Sequence, residues 1–125
     1  VLLRPTAKIT FPWNLTIGDH SWIGDDNLLY SLDKICIGAN TALSPRVFVC
    51  TGSHDAASPA FDIRTRPIRI GDECWIASDV FLAPGVTIGD GTVVGARSTV
   101  RHDLPAGMMC FGNPAAPSRP RSRAS

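Results

Sequence analysis

The sequence lacks the features that hold a protein in a membrane or on a nucleic acid. Its 125 residues carry 12 Lys plus Arg against 11 Asp plus Glu, so the formal net charge of +1 creates no field strong enough to bind a polyanion. No uncharged apolar run approaches the roughly 20 residues that span a bilayer, and the first four residues, VLLR, are not a signal peptide. We therefore expect one cytoplasmic domain that binds neither membranes nor nucleic acid.

Patterns typical of disulfide frameworks and zinc fingers are also absent. The chain has four cysteines, and they form no C-x-x-C pair and have no histidine nearby at zinc-finger spacing. They are Cys36, Cys50, Cys74 and Cys110. Because free cysteine behaves mostly as a small buried apolar residue, we expect all four to be reduced and structural.

A six-residue period organises most of the chain. Twelve positions at this spacing, in three blocks, all carry Ile, Leu or Val: Ile17, Ile23, Leu29, Ile37, Leu43, Val49, Ile70, Ile76, Leu82, Ile88, Val94 and Val100. A period of six fits neither the α-helix nor the heptad, which excludes an amphipathic helix. A short strand followed by a Gly- or Asn-bearing turn does fit, and three such segments, about 18 residues, make one triangular coil of a parallel β-helix.

Breaks in the period define the organisation of the chain. Between Val49 and Ile70 the step is 21 residues, and an insertion into a solenoid must leave the coil as a loop, here at about 54–67. We assign residues 1–111 to the β-helix and residues 112–125, which are rich in Pro and Arg, to an extended or partly disordered tail. The repeat is under way within the first residues and the chain begins with Val, so we expect a segment upstream.

Several motifs resemble those of the hexapeptide-repeat acyltransferases. The runs IGDD, IGAN and IGDG match that family's repeat, and CTGSHD, WIAS, APGVTIG and GNPA follow in the order found in its sugar O-acetyltransferases. The chain is most similar to the colanic acid acetyltransferases, with the maltose, galactoside and nodulation-factor enzymes further off. The resemblance implies an all-β, left-handed parallel β-helix, although the usual crossover rule would favour the right-handed form. It also implies a homotrimer with active sites between subunits.

The resemblance implies transfer of an acetyl group from acetyl-CoA to a sugar hydroxyl, with His54 as the catalytic base. A hydroxyl is a poor nucleophile until its proton is removed, and histidine suits that task near neutral pH. Only His54 lies where a coil ends and the long loop begins, whereas we expect His20 and His102 to be solvated turn residues. No G-x-S-x-G motif suggests an acyl-enzyme, so we expect direct attack on the thioester.

The same resemblance implies a groove for coenzyme A. It places the main-chain amides of Ser78 and Ala96 against the pantetheine arm, with Ala77 and the aromatic ring of Trp75 close by. Arg101 is the first candidate for the nucleotide phosphates, because the forked donors of arginine suit phosphate. Further basic candidates are His102, Arg119, Arg121 and Arg123. Arg119, Arg121 and Arg123 fit a solubilising tail equally well. The alternative for Ser78 and Ala96 is that they are only small residues of the repeat.

Polar residues near the first coils and the loop are candidates for the sugar acceptor, because carboxylates and amides commonly bind sugar hydroxyls. We predict this role for Asn27, Asp33 and Asp55. Other candidates of the same kind are Asp25, Tyr30 and Asp62. Asp and Asn also populate turns for backbone reasons alone, which is the alternative interpretation of each.

Two other functions fit parts of the pattern. A hydratase of the γ-carbonic-anhydrase type needs several histidines at one zinc ion, but His20, His54 and His102 fall in different phases and distant coils, so we expect no metal. A non-catalytic scaffold or binding module would need only the repeat. Within the acetyltransferases, serine, amino-sugar and sugar-hydroxyl acceptors all suit the fold, and the SHD and GNPA motifs favour the sugar hydroxyl.

Overall fold

The computed structural model describes residues 1–122, and it confirms a left-handed parallel β-helix whose three faces are formed by short strands. Sheet A contains β1 (Leu2–Leu3), β4 (Trp22–Ile23), β7 (Ala42–Leu43), β12 (Trp75–Ile76), β15 (Val93–Val94), β17 (Met108–Gly112) and β18 (Ala115–Pro120). Sheet B contains β2 (Lys8–Ile9), β5 (Leu28–Tyr30), β8 (Phe48–Cys50), β13 (Phe81–Leu82) and β16 (Thr99–Val100). Sheet C contains β3 (Leu15–Ile17), β6 (Ile35–Ile37), β11 (Ile68–Ile70) and β14 (Thr87–Ile88).

Two elements leave the regular coil. A single turn of 3-10 helix covers Pro12–Asn14, and β9 (Gly52–His54) pairs antiparallel with β10 (Ile63–Thr65) to form a hairpin outside the three sheets. The predicted loop at about 54–67 is therefore partly regular, since its last residues before β11 return as a strand. Residues 1–122 contain no helix with the length and hydropathy of a membrane span.

The aliphatic positions of the repeat form three ladders inside the prism. In sheet C, for example, Ile17 lies opposite Ile37, which lies opposite Ile70, which in turn lies opposite Ile88. Eleven of the twelve positions are buried, and Ile17 in an early coil is partly buried. This confirms the period-six prediction, because only a coil of three six-residue sides brings every sixth side chain into one core.

The corners of the prism explain the small and polar residues that follow each aliphatic residue. At the corner between sheets A and B, which we call the A–B corner, one residue in each of four successive coils has a left-handed backbone with φ near +60°: Asp26, Arg46, Asp79 and Arg97. Coils also approach each other closely, and a Cβ atom on Gly18 would lie only 2.5 Å from the Ala39 nitrogen. Glycine is required at that position because no side chain fits between the coils.

The C-terminal segment is more regular than the sequence indicated. Strand β18 pairs antiparallel with β17 and extends sheet A as its edge strand, the position in a sheet that tolerates proline. Arg121 fastens the segment to the prism, because its Nη1 donates to the Glu73 carbonyl at 2.7 Å and to the Gly91 carbonyl at 3.1 Å. Arg123 lies outside the described residues.

Candidate active site

The hairpin of β9 and β10 holds His54 at its outer end. His54 pairs with Ile63 across the hairpin, and the loop beyond them is closed by the Asp55 N–H, which donates to the Asp62 carbonyl at 2.8 Å. An ion pair of 3.0 Å between Asp55 and Arg64 adds to this closure. The base of the hairpin is fixed by the buried Thr51, whose hydroxyl donates to the Tyr30 carbonyl at 2.6 Å. His54 therefore sits on a braced element.

One hydrogen bond determines which nitrogen of His54 is available as a base. Nδ1 lies 2.7 Å from the carbonyl oxygen of Phe61. A carbonyl oxygen only accepts, so we infer that Nδ1 carries the proton of the neutral ring and that Nε2 keeps its lone pair. The bond exists because Phe61 has a left-handed backbone, with φ of 50°, which turns the loop back towards His54.

His54 lines a cavity of about 150 Å³ between the hairpin and sheet B. The other residues that line it are Tyr30, Leu32, Gly52, Ser53 and Ile63. A Cβ on Gly52 would lie 2.7 Å from the Leu32 side chain and 3.1 Å from the Tyr30 ring, so a larger residue would narrow this space. Of the predicted site residues, the structure brings together only Tyr30 and His54 here. Leu32 and Ile63 were not predicted, because the register of the hairpin leaves no periodic signal.

Asn27, predicted to bind the acceptor, is instead part of the interior. It is 1% exposed, and its Nδ2 donates to the carbonyls of Gly24 and Ser44, both at 2.9 Å. We therefore correct its assignment to a structural one. A signal for this was present, because Asn27 lies four residues after Ile23, a repeat position that other coils fill with small buried residues such as Thr41.

The predicted acidic residues have structural partners of their own. Asp55 accepts from the Ala57 N–H and from Arg64, both at 3.0 Å, and Asp62 accepts from the Ser58 hydroxyl at 2.9 Å. Both carboxylates thus hold the loop. Asp33 lies at the base of the hairpin and does not line the His54 cavity. Asp25 forms an exposed pair with Arg4 at 3.0 Å.

The A–B corner carries two of the predicted coenzyme A residues. Within residues 1–122, the N–H groups of Ser78 and Ala96 have no acceptor in the protein. The two residues belong to successive coils, which stack at about 4.8 Å. Ala77 differs, because it is 8% exposed and its N–H donates to the Val94 carbonyl at 3.0 Å. Ala77 therefore supplies no donor, and we correct its role to that of a small packing residue.

The other predicted coenzyme A residues lie on the surface. Trp75 is 48% exposed, and its Nε1 donates to the Ser44 hydroxyl at 2.9 Å, which fixes the indole on sheet A. Arg101, His102 and Arg119 are exposed, and Arg121 is used to fasten the C-terminal segment. At the corner itself, a hydrogen bond from Arg46 lowers the pKa of Asp79 below its usual value.

Cysteine and metal chemistry find little support in the described part of the chain. Burial raises the pKa of the Cys50, Cys74 and Cys110 thiols. Cys50, which is close to His54 in sequence, also donates its S–H to the Gly52 carbonyl at 3.1 Å, so it remains a thiol rather than a nucleophilic thiolate. Among residues 1–122, no three His, Cys, Asp or Glu side chains come together as metal ligands, which the hydratase alternative would need.

Comparisons with known proteins agree with the motifs. The family model for the bacterial transferase hexapeptide (six repeats) matches residues 67–102. The protein from Escherichia coli K12 that is named colanic acid biosynthesis acetyltransferase WcaF is 59% identical over 121 residues, which are 97% of this chain. The chain spans 66%, just under two thirds, of the length of that relative.

Solved structures show the same fold at lower identity. A hexapeptide-repeat acetyltransferase from Vibrio cholerae superposes with a TM-score of 0.93 at 30% identity, over 98% of this chain and 71% of the other. A maltose O-acetyltransferase from Clostridium difficile 630 gives a TM-score of 0.92 at 29% identity, over 97% and 66% of the two chains. The Vibrio cholerae enzyme has also been solved with acetyl-CoA. From its coils, its ordered motifs and these relatives, the chain belongs to the hexapeptide-repeat acetyltransferase family.

Proposed function

We propose that the protein transfers an acetyl group from acetyl-CoA to a hydroxyl of a sugar or saccharide unit, with His54 as the general base. The observation that carries this proposal is the 2.7 Å contact between His54 Nδ1 and the Phe61 carbonyl beside a cavity. The names of the relatives, which include a colanic acid acetyltransferase and a galactoside O-acetyltransferase, support the substrate class.

The reaction proceeds by direct attack. His54 Nε2 accepts the proton of the acceptor hydroxyl while its oxygen forms a bond to the thioester carbonyl carbon. The carbon–sulfur bond then breaks, and the same proton passes from His54 to the sulfur, which leaves as the thiol of coenzyme A. The Phe61 carbonyl stabilises the transient imidazolium through Nδ1–H. General-base catalysis of this kind contributes about 10²- to 10⁴-fold in rate.

Coenzyme A is held at the A–B corner in this account. The unsatisfied N–H groups of Ser78 and Ala96 donate to the amide carbonyls of the pantetheine arm, and Trp75 contacts the arm beside them. Arg101 is the candidate for the nucleotide phosphates. The four cysteines in the structure are free, which suits a reaction in the reducing cytoplasm.

We expect the site to be completed by a homotrimer. The outer face of sheet B carries an aromatic ladder, with ring centroids 6.3 Å apart for Tyr30 and Phe48 and 5.3 Å apart for Phe48 and Phe81. On the hairpin, Phe61 and Ile63 are each 62% exposed. Exposed aromatic and aliphatic side chains such as these are typical of a protein interface. Packing it between copies brings His54 of one subunit to the A–B corner of the next.

The test is acetyl-CoA-dependent thiol release by the full-length protein against a panel of sugars and serine. The native protein is compared with His54→Ala and with His20→Asn, a control that changes an exposed turn histidine. We expect release that requires a sugar, is lost with His54→Ala and is retained with His20→Asn. Equal release by His54→Ala contradicts the assignment of the base. A protein that shows no coenzyme A binding by calorimetry would instead favour the scaffold alternative.

A further inference from the structure

A second cavity lies on the outer face of sheet C. Its volume is about 350 Å³, and it shares no lining residue with the His54 cavity. The side chains that matter here are Lys34, Arg66 and Arg69, together with Cys36 and Thr87 from neighbouring strands. The cavity is therefore lined by three cationic side chains and by no carboxylate.

These three cations have no ion-pair partner in the described part of the chain. The ion pairs that residues 1–122 form involve other arginines, namely Arg4, Arg46 and Arg64. Carboxylates lie beside this cavity, but each accepts a backbone N–H: Asp33 that of Lys34 at 2.7 Å, and Asp103 that of Thr87 at 2.8 Å. Asp72 and Asp90, which line an adjoining cavity shared with Arg69 and Cys36, accept the N–H groups of Ala39 and Asp72 in the same way. Three like charges around one cavity repel each other, and an anion placed among them would relieve that repulsion.

The Arg66 side chain extends over Gly85 at the edge of the cavity. Its guanidinium group lies against Gly85, where an added Cβ would be 2.9 Å from Arg66 Nε and 3.0 Å from Cζ. Gly85 has a left-handed backbone, with φ of +85°, so the turn favours glycine at this position. The guanidinium is exposed and makes no side-chain hydrogen bond or ion pair with residues 1–122, so its N–H groups are available to contact a phosphate or carboxylate through two bonds.

The hairpin connects this cavity to the proposed base. Ile63 lines the His54 cavity and lies opposite His54, and the strand then runs three residues to Arg66, about 10 Å at the rise of a β-strand. The backbone N–H of Arg66 donates to the Thr51 carbonyl at 2.9 Å, which joins this end of the hairpin to the coil. On the other side, Leu32 of the His54 cavity is two residues from Lys34.

We propose that the cavity of Lys34, Arg66 and Arg69 binds a phosphate or carboxylate group carried by the acceptor, so that the enzyme acetylates an anionic saccharide. This inference rests on the proposed function, because it concerns the acceptor of the same reaction. It specifies the substrate class that sequence motifs alone left open. The anionic group binds at sheet C while a hydroxyl of the same molecule reaches His54.

The kinetic test compares glucose with glucose 1-phosphate and glucuronate as acceptors. For the native protein we expect a KM at least 10-fold lower for one of the anionic sugars, since hydrogen bonds to charged groups contribute about 10- to 100-fold in affinity. Arg66→Gln should raise that KM by about 10-fold or more, with little change in kcat or in the KM for glucose. Lys8→Gln, which removes an exposed cation outside the cavity, should change neither value. Equal KM values for all three sugars in every variant would overturn the inference.

A second readout does not depend on catalysis. Cys36 is half-buried and lines both this cavity and the adjoining one on sheet C, so a change in its alkylation by iodoacetamide, followed by mass spectrometry, reports an anion bound on this face. We expect inorganic phosphate or glucuronate to slow labelling of Cys36 in the native protein and not in Arg66→Gln, and the anion that protects identifies the source. Protection without acetyl transfer would support the anion site and contradict the proposed function. Acetyl transfer at the same KM to neutral and anionic sugars, with no protection of Cys36, would support the proposed function and contradict the anion site.

Discussion

Replacing Asn27 by Ala tests whether the coil interior is as described. Asn27 Nδ2 donates to two carbonyls from successive coils, those of Gly24 and Ser44, at 2.9 Å each. Losing both bonds and leaving the carbonyls buried costs roughly 2–4 kcal/mol. Asn27 Oδ1 is itself buried without a partner among the described residues, so its removal returns about 1 kcal/mol. The expected net loss in the free energy of unfolding is about 2 kcal/mol.

The assay is thermal unfolding followed by circular dichroism, with all variants at the same protein concentration because the stability of an oligomer depends on it. For a chain of this length, about 2 kcal/mol corresponds to a fall in Tm of about 6–10 °C. Asp25→Ala is the matched control from the same turn, since its pair with Arg4 is exposed and contributes under about 1 kcal/mol. An Asn27→Ala protein with native Tm and a raised KM for the acceptor would refute the structural assignment.

Three further predictions concern the coil, the thiols and the assembly. Gly18→Ala should lower the free energy of unfolding by about 1–3 kcal/mol, because its Cβ would meet the backbone of the next coil. Gly91→Asn should lower it by under about 1 kcal/mol, because the corresponding position of another coil is occupied by Asn40, which also has a positive φ. Urea unfolding measures both changes. Cys50, Cys74 and Cys110 should resist alkylation by iodoacetamide at pH 8 until denaturant is added, because burial raises their thiol pKa. Alkylation of the folded protein as fast as that of a small free thiol would contradict this. Phe48→Glu should abolish or weaken trimer formation in light scattering, and a native mass distribution would exclude the sheet B face as the interface.

The regular part of the fold follows from the sequence because its cause is local and periodic. Ile23, Leu43 and Ile76 stack in one ladder since each ends a six-residue side, and no distant contact is needed to predict that. The same period also predicts a buried position for Asn27, which lies four residues after Ile23. The surface role was assigned from its polar side chain alone, without regard to the period. The turn positions with positive φ likewise follow from the spacing.

The irregular part could not be predicted in the same way. The contact between His54 and the Phe61 carbonyl depends on how a loop of seven residues closes, and the cavity wall depends on Ile63 returning opposite His54. Neither has a repeat to specify it. The cluster of Lys34, Arg66 and Arg69 was not predicted either, because Lys34 is distant in sequence from the two arginines and only the pairing of β6 with β11 brings it to the same cavity.

The central claim is that His54 removes the proton of the attacking hydroxyl. The most direct measurement is the kcat for acetyl transfer by the native protein and by His54→Ala with the same acceptor, alongside the affinity of each for coenzyme A. The account predicts that kcat falls about 10²- to 10⁴-fold while coenzyme A binding is unchanged. A His54→Ala protein that turns over at the native rate would contradict it.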